Sequence, residues 1–501
     1  MRNRNIVYYV LAFILSIVLL LSGCKSEVRE PKSDVVKNED NAEGKAVEKV
    51  EEKTPLRLFT IGDESQAYIS GFQLNHPETE LEVIQVDLTA LRQKSPDQNI
   101  TYLDAIEHYS DKYGYPDVII WEDTGNQQTN LPFWVENNIA QDMEWLMADD
   151  NNFEETAYYP GVSTIGEIND TLYALPLTLT AEYWTIREDV WVDSTFSQLG
   201  ENYTAKELLD CLEAQLETEV ALQEEGWVVM PMGYSDMSDV YDWLQMFGAL
   251  QITPEGIELD KDLYAQICRI QALLTENETI YHELTGFSPM QDPTVFNSEY
   301  IITSWSESKN IMTHALTHAP QLGLLHAQAL NHKVFGQDTH VLWLPYKTEN
   351  NNSEYAAEVV CWGMIGKESN RAQEAYELIR QLMDTIPAVS FDQWGICTVP
   401  TIPLPVNRSA ALEMIDAMET GWVQSFSYRS NNMTQSIAKE PLDTNLRESM
   451  EQFLSNITLL YVPNYTADQE VFWFLSTYQM SGGKSFETYY ETVLEIIEEH
   501  Q

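Results

Sequence analysis

Basic residues are scarce in this chain, which has 28 Lys and Arg against 79 Asp and Glu in 501 residues. The formal net charge is −51. A field of this sign repels phosphate backbones and anionic lipid head groups, so the composition argues against a nucleic-acid partner. Solubility in an exposed compartment is the simpler interpretation of the charge, because a store of cations would need clustered ligands.

Cysteine is also rare, and no two cysteines have the C-x-x-C spacing of a zinc or redox site. Cys24 ends an apolar leader, and the other four are Cys211, Cys268, Cys361 and Cys397. In an extracytoplasmic protein these four allow two disulfides in three pairings, which the sequence does not distinguish. Free buried thiols are the preferred interpretation.

Three common catalytic motifs are missing from the sequence: the G-x-S-x-G elbow, the H-E-x-x-H pair and the dinucleotide-type G-x-G-x-x-G. No cofactor is expected. The chain also lacks the eightfold βα repetition of a barrel glycosidase. A surface-anchored hydrolase acting on glycans or cell wall is kept as the alternative function, because so many acidic residues can place a carboxylate pair in a cleft.

The chain begins with two arginines in its first four residues, followed by sixteen uncharged residues from Ile6 to Leu21 and then Ser-Gly-Cys24. At 1.5 Å per residue this run is too short for the ~30 Å hydrocarbon core of a bilayer. A basic start, an apolar run and small residues before a cysteine are typical of a bacterial lipoprotein signal. The sequence therefore predicts a signal peptide at 1–24, lipidation of Cys24 and anchoring on the extracytoplasmic face of the cell membrane.

Residues 25–53 contain seven basic and nine acidic residues and no aromatic residue, so they predict a disordered tether. The body that follows has 19 basic and 70 acidic residues. About 450 residues are too many for one ordinary core, which predicts two lobes.

The first lobe is predicted to open with a strand at Pro55–Gly62, a helix at Ser65–Leu74 and a strand at Leu81–Val86. Strand, helix and strand within about 35 residues indicate a βαβ unit with a parallel sheet, whose ligand edge lies at the strand C-termini. A further buried strand, Pro116–Asp123, should end at the same edge. This places five candidate residues there: Asp63, Glu64, Trp121, Glu122 and Asp123. Core packing is an equally good interpretation of Trp121, because tryptophan is usually mostly buried.

The stretch Leu172–Trp191 predicts the connection between the lobes, with a plain edge strand as the alternative interpretation. Pro176 should stop the first strand, since proline removes a ladder donor, and a second extended segment follows at once. Tyr183 and Trp184 lie just past this crossing. Beyond it, helical spacing at Tyr203–Glu225 and Leu259–Leu274 predicts that the second lobe is α/β as well.

Four pieces of the chain resemble the family 1 extracellular solute-binding proteins of ABC importers, of the sugar-binding, maltose-binding-protein-like type. They are the lipoprotein leader, Pro116–Ile120, Leu172–Pro176 followed by Tyr183–Val190, and the closing Met480–Glu487. The pieces occur in the order that the family shows. This resemblance implies an α/β clamshell of two lobes joined by a hinge, with each lobe a mixed or parallel sheet flanked by helices.

The resemblance also implies the domain boundaries. Lobe 1 comprises 54–176 and returns at 358–390, with Cys361 to Gly363 at the hinge, and lobe 2 comprises 177–357 and 391–501. The implied function is capture of a small solute, a carbohydrate, for delivery to importer permease subunits. A histidine-rich stretch at His314–His340 and a long aromatic tail at 392–466 depart from the family and put sugar as the ligand in doubt.

The stretch His314–His340 has a second interpretation as a zinc site, because His314 and His318 would share a helix face. No cysteine or regularly spaced carboxylate completes the ligand set, so no metal is predicted. The predicted ligand-contacting residues carry aromatic faces for sugar rings or polar groups for hydroxyls. They are Asp63, Glu64, Trp121, Glu122, Asp123, Tyr183, Trp184, Tyr234, Trp243, Trp305, Glu307 and Trp362.

Overall fold

A computed structural model gives the structure of the compact unit Thr54–Gln501. The residues that it describes are 54–62, 65, 68–69, 72–73, 76–95, 99–123, 129–180, 183–192, 194–200, 202–225, 243–244, 247–253, 256–285, 312–315, 338–346, 354–385, 404–419, 425–430, 433–438, 443–462 and 490–495.

The main structural feature is an eight-stranded mixed sheet. Its strands are β1 Leu56–Ile61, β2 Leu81–Gln85, β3 Val118–Glu122, β6 Ala174–Thr180, β12 Pro345–Tyr346, β13 Glu354–Ile365, β14 Leu404–Pro405 and β17 Ile457–Tyr461. The order β14-β6-β13-β3-β1-β2 forms the main path, and β12 and β17 also pair with β13. β1 pairs in parallel with both β2 and β3, which confirms the predicted parallel sheet. β13 runs antiparallel to β3 and β6.

The remaining strands form small separate sheets. They are β4 Glu167–Ile168 with β5 Thr171–Leu172, β8 Leu250–Thr253 with β9 Gly256–Leu259, β15 Ser425–Ser430 with β16 Met433–Ala438, and the antiparallel set β10 Met312–Ala315, β7 Tyr183–Arg187 and β11 Thr339–Trp343.

Ten helices have bounds within the described residues. They are α1 Leu88–Lys94, α2 Tyr102–Tyr113, α3 Leu131–Glu136, α4 Glu144–Asp149, α5 Glu188–Trp191, α6 Ala205–Glu224, α7 Lys261–Thr285, α8 Ala372–Met383, α9 Arg408–Glu419 and α10 Thr444–Ser455. The sequence explains where α6 starts, because Thr204 and Glu207 form a reciprocal capping box. Leu208, Leu209, Leu212 and Leu216 of α6 are buried, as their spacing predicts.

The buried apolar side chains form two cores. Core A contains those of the eight-stranded sheet and of the helices α1–α4 and α8–α10. Core B contains those of α6 and α7, together with Trp243, Phe247 and Val493. β7 and β11 contribute to both, because successive side chains of a strand point to opposite faces. Tyr183 and Trp343 lie in core A, while Trp184 and Leu342 lie in core B.

Pro176 does not end its strand, contrary to the prediction. β6 continues through it to Thr180, and the next strand begins at Tyr183. Pro176 lies opposite Trp362, where the register between β6 and β13 shifts. Proline is tolerated at such irregular places because a ladder donor is not required there. The change from core A to core B therefore follows residue 180.

The segment 391–501, predicted to belong to the second lobe, contributes side chains to both cores. Between 404 and 460 its buried residues pack in core A, from Leu404 and Ile415 to Phe453 and Leu460, while Val493 packs in core B. The lobe boundaries stay a prediction. The predicted hinge residues Cys361 to Gly363 lie inside β13, a single strand of 12 residues.

Within the described residues, no helix has the length and apolarity needed to cross a membrane. Cys211 and Cys268 are free thiols there and are half-buried, while Cys361 is buried and Cys397 lies outside the described residues. Burial raises the pKa of the Cys268 thiol to about 12, so this group is protonated and unreactive at neutral pH.

Candidate functional site

The carboxyl ends of β1, β3 and β6 lie together at one edge of the eight-stranded sheet, which we call the carboxyl edge. The parallel register sets this arrangement, since Ile61 lies beside Trp121. β13 runs the opposite way and places Trp362 between Trp121 and Pro176. In sheets of this kind ligands bind outside the carboxyl ends of the strands, so this edge is the candidate site.

Trp121 and Trp362 form a stacked pair at the carboxyl edge, with ring centroids 6.0 Å apart and planes 12° apart. Trp134 of α3 packs edge-on against Trp121 at 6.2 Å. All three rings are buried in core A. Among the described residues the indole N–H groups of Trp121 and Trp362 have no hydrogen-bond acceptor. The pair therefore has the burial of core residues and two donors that remain to be satisfied.

Thr178 and Thr180 continue the same face of β6 beyond Pro176, because alternate residues of a strand share a face. Both side chains are buried, and their hydroxyls have no partner within the described part of the chain. A buried hydroxyl without a partner costs about 1–3 kcal/mol, so such groups usually meet water or a ligand. The sequence prediction missed both residues, although the alternation Pro-Leu-Thr-Leu-Thr was a usable signal.

Asp123 follows β3 and is buried, with its backbone N–H donating to Val360 O at 2.9 Å. Glu358 of β13 is also buried. Two buried carboxyl side chains thus belong to strands that pair at the carboxyl edge. This edge has polar groups of the kind that bind hydroxyls.

Glu122 contacts protein backbone. Its Oε1 accepts the backbone N–H of Ser65 at 2.7 Å, close to the turn that follows β1. Because Glu122 follows Trp121 in the strand, its side chain leaves the opposite face of the sheet. The structure brings Trp121, Glu122, Asp123 and Trp362 of the predicted site to one edge.

Tyr183, Trp184 and Trp243 lie in other surroundings. Tyr183 packs edge-on against Trp343 at 5.4 Å in core A. Trp184 and Trp243 lie 6.0 Å apart in core B, beside Phe247. All three rings are buried, so packing is a sufficient role for them. Asp63, Glu64, Tyr234, Trp305 and Glu307 are outside the described residues.

The histidine pair proposed for zinc cannot share a helix face, because His314 lies in strand β10 opposite Trp184. His340 lies in β11, pairs with Glu188 and stacks on Trp191 with centroids 4.5 Å apart. No group of three potential metal-ligating His, Cys, Asp or Glu side chains occurs within the described residues.

Glu219 is a buried titratable group outside this edge, on α6 in the second core. It is 0% exposed and accepts from Gln215 Nε2 at 3.2 Å and Asn277 Nδ2 at 2.9 Å. Burial raises the pKa of the Glu219 carboxyl to about 8, and the two amide hydrogen bonds only partly oppose that rise. Glu219 is therefore largely protonated at neutral pH.

No protein-family model and no curated protein sequence matches the chain. Among solved structures, a cyclic α-maltosyl-1,6-maltose binding protein from Arthrobacter globiformis is similar with a TM-score of 0.52 and 11% identity, over 89% of this chain and 98% of that one. The sugar-binding protein MalE from Xanthomonas citri has a TM-score of 0.50 and 15% identity, over 89% and 96%.

An extracellular solute-binding protein family 1 structure from Alicyclobacillus acidocaldarius has a TM-score of 0.49 and 11% identity, over 89% and 98%. At such identities the likeness shows the fold alone. The chain shares its α/β fold with the two structures that have TM-scores of 0.50 and 0.52. This confirms the α/β part of the predicted fold class, while the two-lobed clamshell stays a prediction.

Proposed function

We propose that this protein is a lipid-anchored, extracytoplasmic solute-binding protein that captures a carbohydrate between two lobes and delivers it to an ABC importer. Its partners would be the solute, the permease subunits and, through Cys24, the membrane. The shared fold supports the proposal, since the matched proteins with TM-scores of 0.50 and 0.52 are named as binding proteins for sugars.

At the level of residues, the proposal rests on buried polar groups at the carboxyl edge that have no partner among the residues the structure describes. The indole N–H groups of Trp121 and Trp362 can only donate, whereas the hydroxyls of Thr178 and Thr180 can donate and accept. A neutral solute with many hydroxyl groups supplies acceptors for the indole N–H groups and both donors and acceptors for the threonine hydroxyls. Anionic solutes would meet an unfavourable field in a body of 19 basic and 70 acidic residues.

Capture would follow from a difference in affinity between two conformations. A solute shifts a hinged protein toward its closed form only by as much as it binds that form more tightly. β7 and β11 are suited to connect the lobes, because their alternate side chains lie in core A and in core B.

The direct test is a thermal-shift screen of the purified protein against neutral mono- and oligosaccharides, with acidic sugars and amino acids as controls. A saccharide at about 100 times its dissociation constant should add about 2.7 kcal/mol to the free energy of unfolding. Products are analysed in the same samples. Release of smaller sugars would favour the hydrolase, and a panel without any stabilising saccharide would contradict carbohydrate capture.

The lipid anchor is tested by Cys24→Ala. The variant should leave the membrane fraction and appear in the soluble fraction with unchanged thermal unfolding, because the anchor residue precedes the body. Cys211→Ala is the control and should remain with the membranes. A Cys24→Ala protein that still fractionates with membranes would show that another feature holds it there.

A further inference from the structure

Glu122 closes the turn that follows β1. Its Oε1 accepts the Ser65 N–H at 2.7 Å, and Ser65 Oγ donates to Gly62 O at 2.9 Å and to Ile61 O at 3.1 Å. Ser65 is completely buried and lies in helical conformation. The Glu122 carboxylate of β3 thus fixes the backbone at the start of the segment that follows β1.

Gly62 shows how closely this carboxylate approaches the turn. It has a φ of +102°, a conformation that side chains rarely adopt, and an added Cβ would overlap the Glu122 carboxylate. Two independent constraints therefore require glycine here: the backbone angle and the space that Glu122 occupies.

We propose that Glu122 is a positioning residue of the solute site, which fixes the turn after β1 at the carboxyl edge. This role rests on the proposed function and replaces the solute contact that the sequence predicts for Glu122. Asp63 and Glu64, two other predicted site residues, directly follow Gly62 in the sequence.

Hydrogen exchange of the ligand-free full-length protein tests this role in peptides that cover residues 61–73. Glu122→Ala should speed exchange of the Ser65 amide by roughly tenfold, because that donor loses its acceptor. Glu122→Gln keeps an acceptor oxygen and should restore slow exchange. A solute-contacting carboxylate would leave this peptide unchanged in both variants.

Asp117 provides a matched control at the other end of the same strand. Its Oδ2 accepts the backbone N–H of Arg57 at 3.0 Å, and its Oδ1 accepts from Ser369 Oγ at 2.7 Å. Asp117→Ala should speed exchange near residue 57 but leave residues 61–73 as in the wild type. Equal loosening of 61–73 by Asp117→Ala and Glu122→Ala would overturn the proposal, since it would show general destabilisation.

The close approach of Glu122 to Gly62 allows a second experiment. Gly62→Ala should loosen the turn by itself, and the double variant with Glu122→Ala should be less affected than the sum of the two, because the overlap is relieved. Strict additivity would contradict the close contact. All these exchange measurements are made without solute, so their results do not depend on whether the protein binds carbohydrate.

Discussion

Two sets of buried polar groups, one in each core, differ in their hydrogen bonding. In core A the Thr178 and Thr180 hydroxyls and the indole N–H groups of Trp121 and Trp362 have no partner within the described residues. In core B, Glu219 is equally buried, yet Gln215 and Asn277 both donate to it.

This difference distinguishes two roles of buried polar groups. Unsatisfied groups are costly, so four of them at one sheet edge support the proposal that a solute completes the bonding there. The hydrogen bonds from Gln215 and Asn277 to Glu219 link α6 to α7 without a ligand. The comparison therefore supports the proposed solute site at the carboxyl edge and a structural role for Glu219.

The largest expected effect comes from Trp362→Ala. Removing this fully buried ring leaves a cavity beside Trp121 and should cost about 3–5 kcal/mol of unfolding free energy, measured by urea titration. Trp145→Ala is the matched control, because that ring is 51% exposed and its loss should change stability by less than about 0.5 kcal/mol. Similar values for the two variants would mean that Trp362 is a solute platform instead of a core residue.

The next largest effect is the pH dependence of the free energy of unfolding that comes from Glu219 in core B. Because the folded pKa of Glu219 is raised to about 8 from an ordinary 4.5, the folded protein holds a proton that the unfolded chain has lost. Stability from this group is thus full below about pH 4.5 and falls by about 1.4 kcal/mol per pH unit until about pH 8.

Glu219→Gln should remove this slope, so its advantage over the wild type should grow from pH 5 to pH 8 to the order of 3 kcal/mol. Glu217→Gln on the exposed side of the same helix is the control and should leave the profile unchanged. Parallel stability profiles for Glu219→Gln and wild type would show that Glu219 does not carry the proton.

The smallest effect is expected from Thr178→Val. The hydroxyl has no partner among the described residues, so valine of similar shape should keep or raise the stability of the ligand-free protein, by no more than about 1 kcal/mol. Thr385→Val is the control, since its buried hydroxyl donates to Gln381 O at 2.8 Å and its loss should cost about 1 kcal/mol. A larger loss for Thr178→Val than for Thr385→Val would show that the Thr178 hydroxyl makes a stabilising contact in the ligand-free protein.

Much of the architecture could be predicted from local patterns. The strands of the first βαβ unit and the leucine face of α6 follow from hydrophobic periodicity, which local side chains determine. Pro176 misled the prediction, because tolerance for a proline depends on the register shift in the neighbouring strand. Partners that are distant in sequence decide such features.

The site was harder to predict for the same reason. Aromatic residues after strands were chosen as solute contacts, yet Trp184 and Trp243 are packed together in core B. Residue type does not distinguish a cleft platform from a core ring, because both use the same apolar face. Glu122 was found by its position, but its contact with Ser65 spans 57 residues and has no local signal.

The way in which the chain enters its folded body bears on mechanical load. Arg371 donates to the backbone oxygens of Thr54 and Pro55 at 2.9 and 3.1 Å, just before β1. β1 is held by five residue pairs to β2 and four to β3. Force on the preceding segment, directed along β1, would load the hydrogen bonds of both ladders in shear and at the same time. It would not break them one after another. A protein held at its N-terminus can therefore bear a force applied at that end without separation of the strands of its sheet.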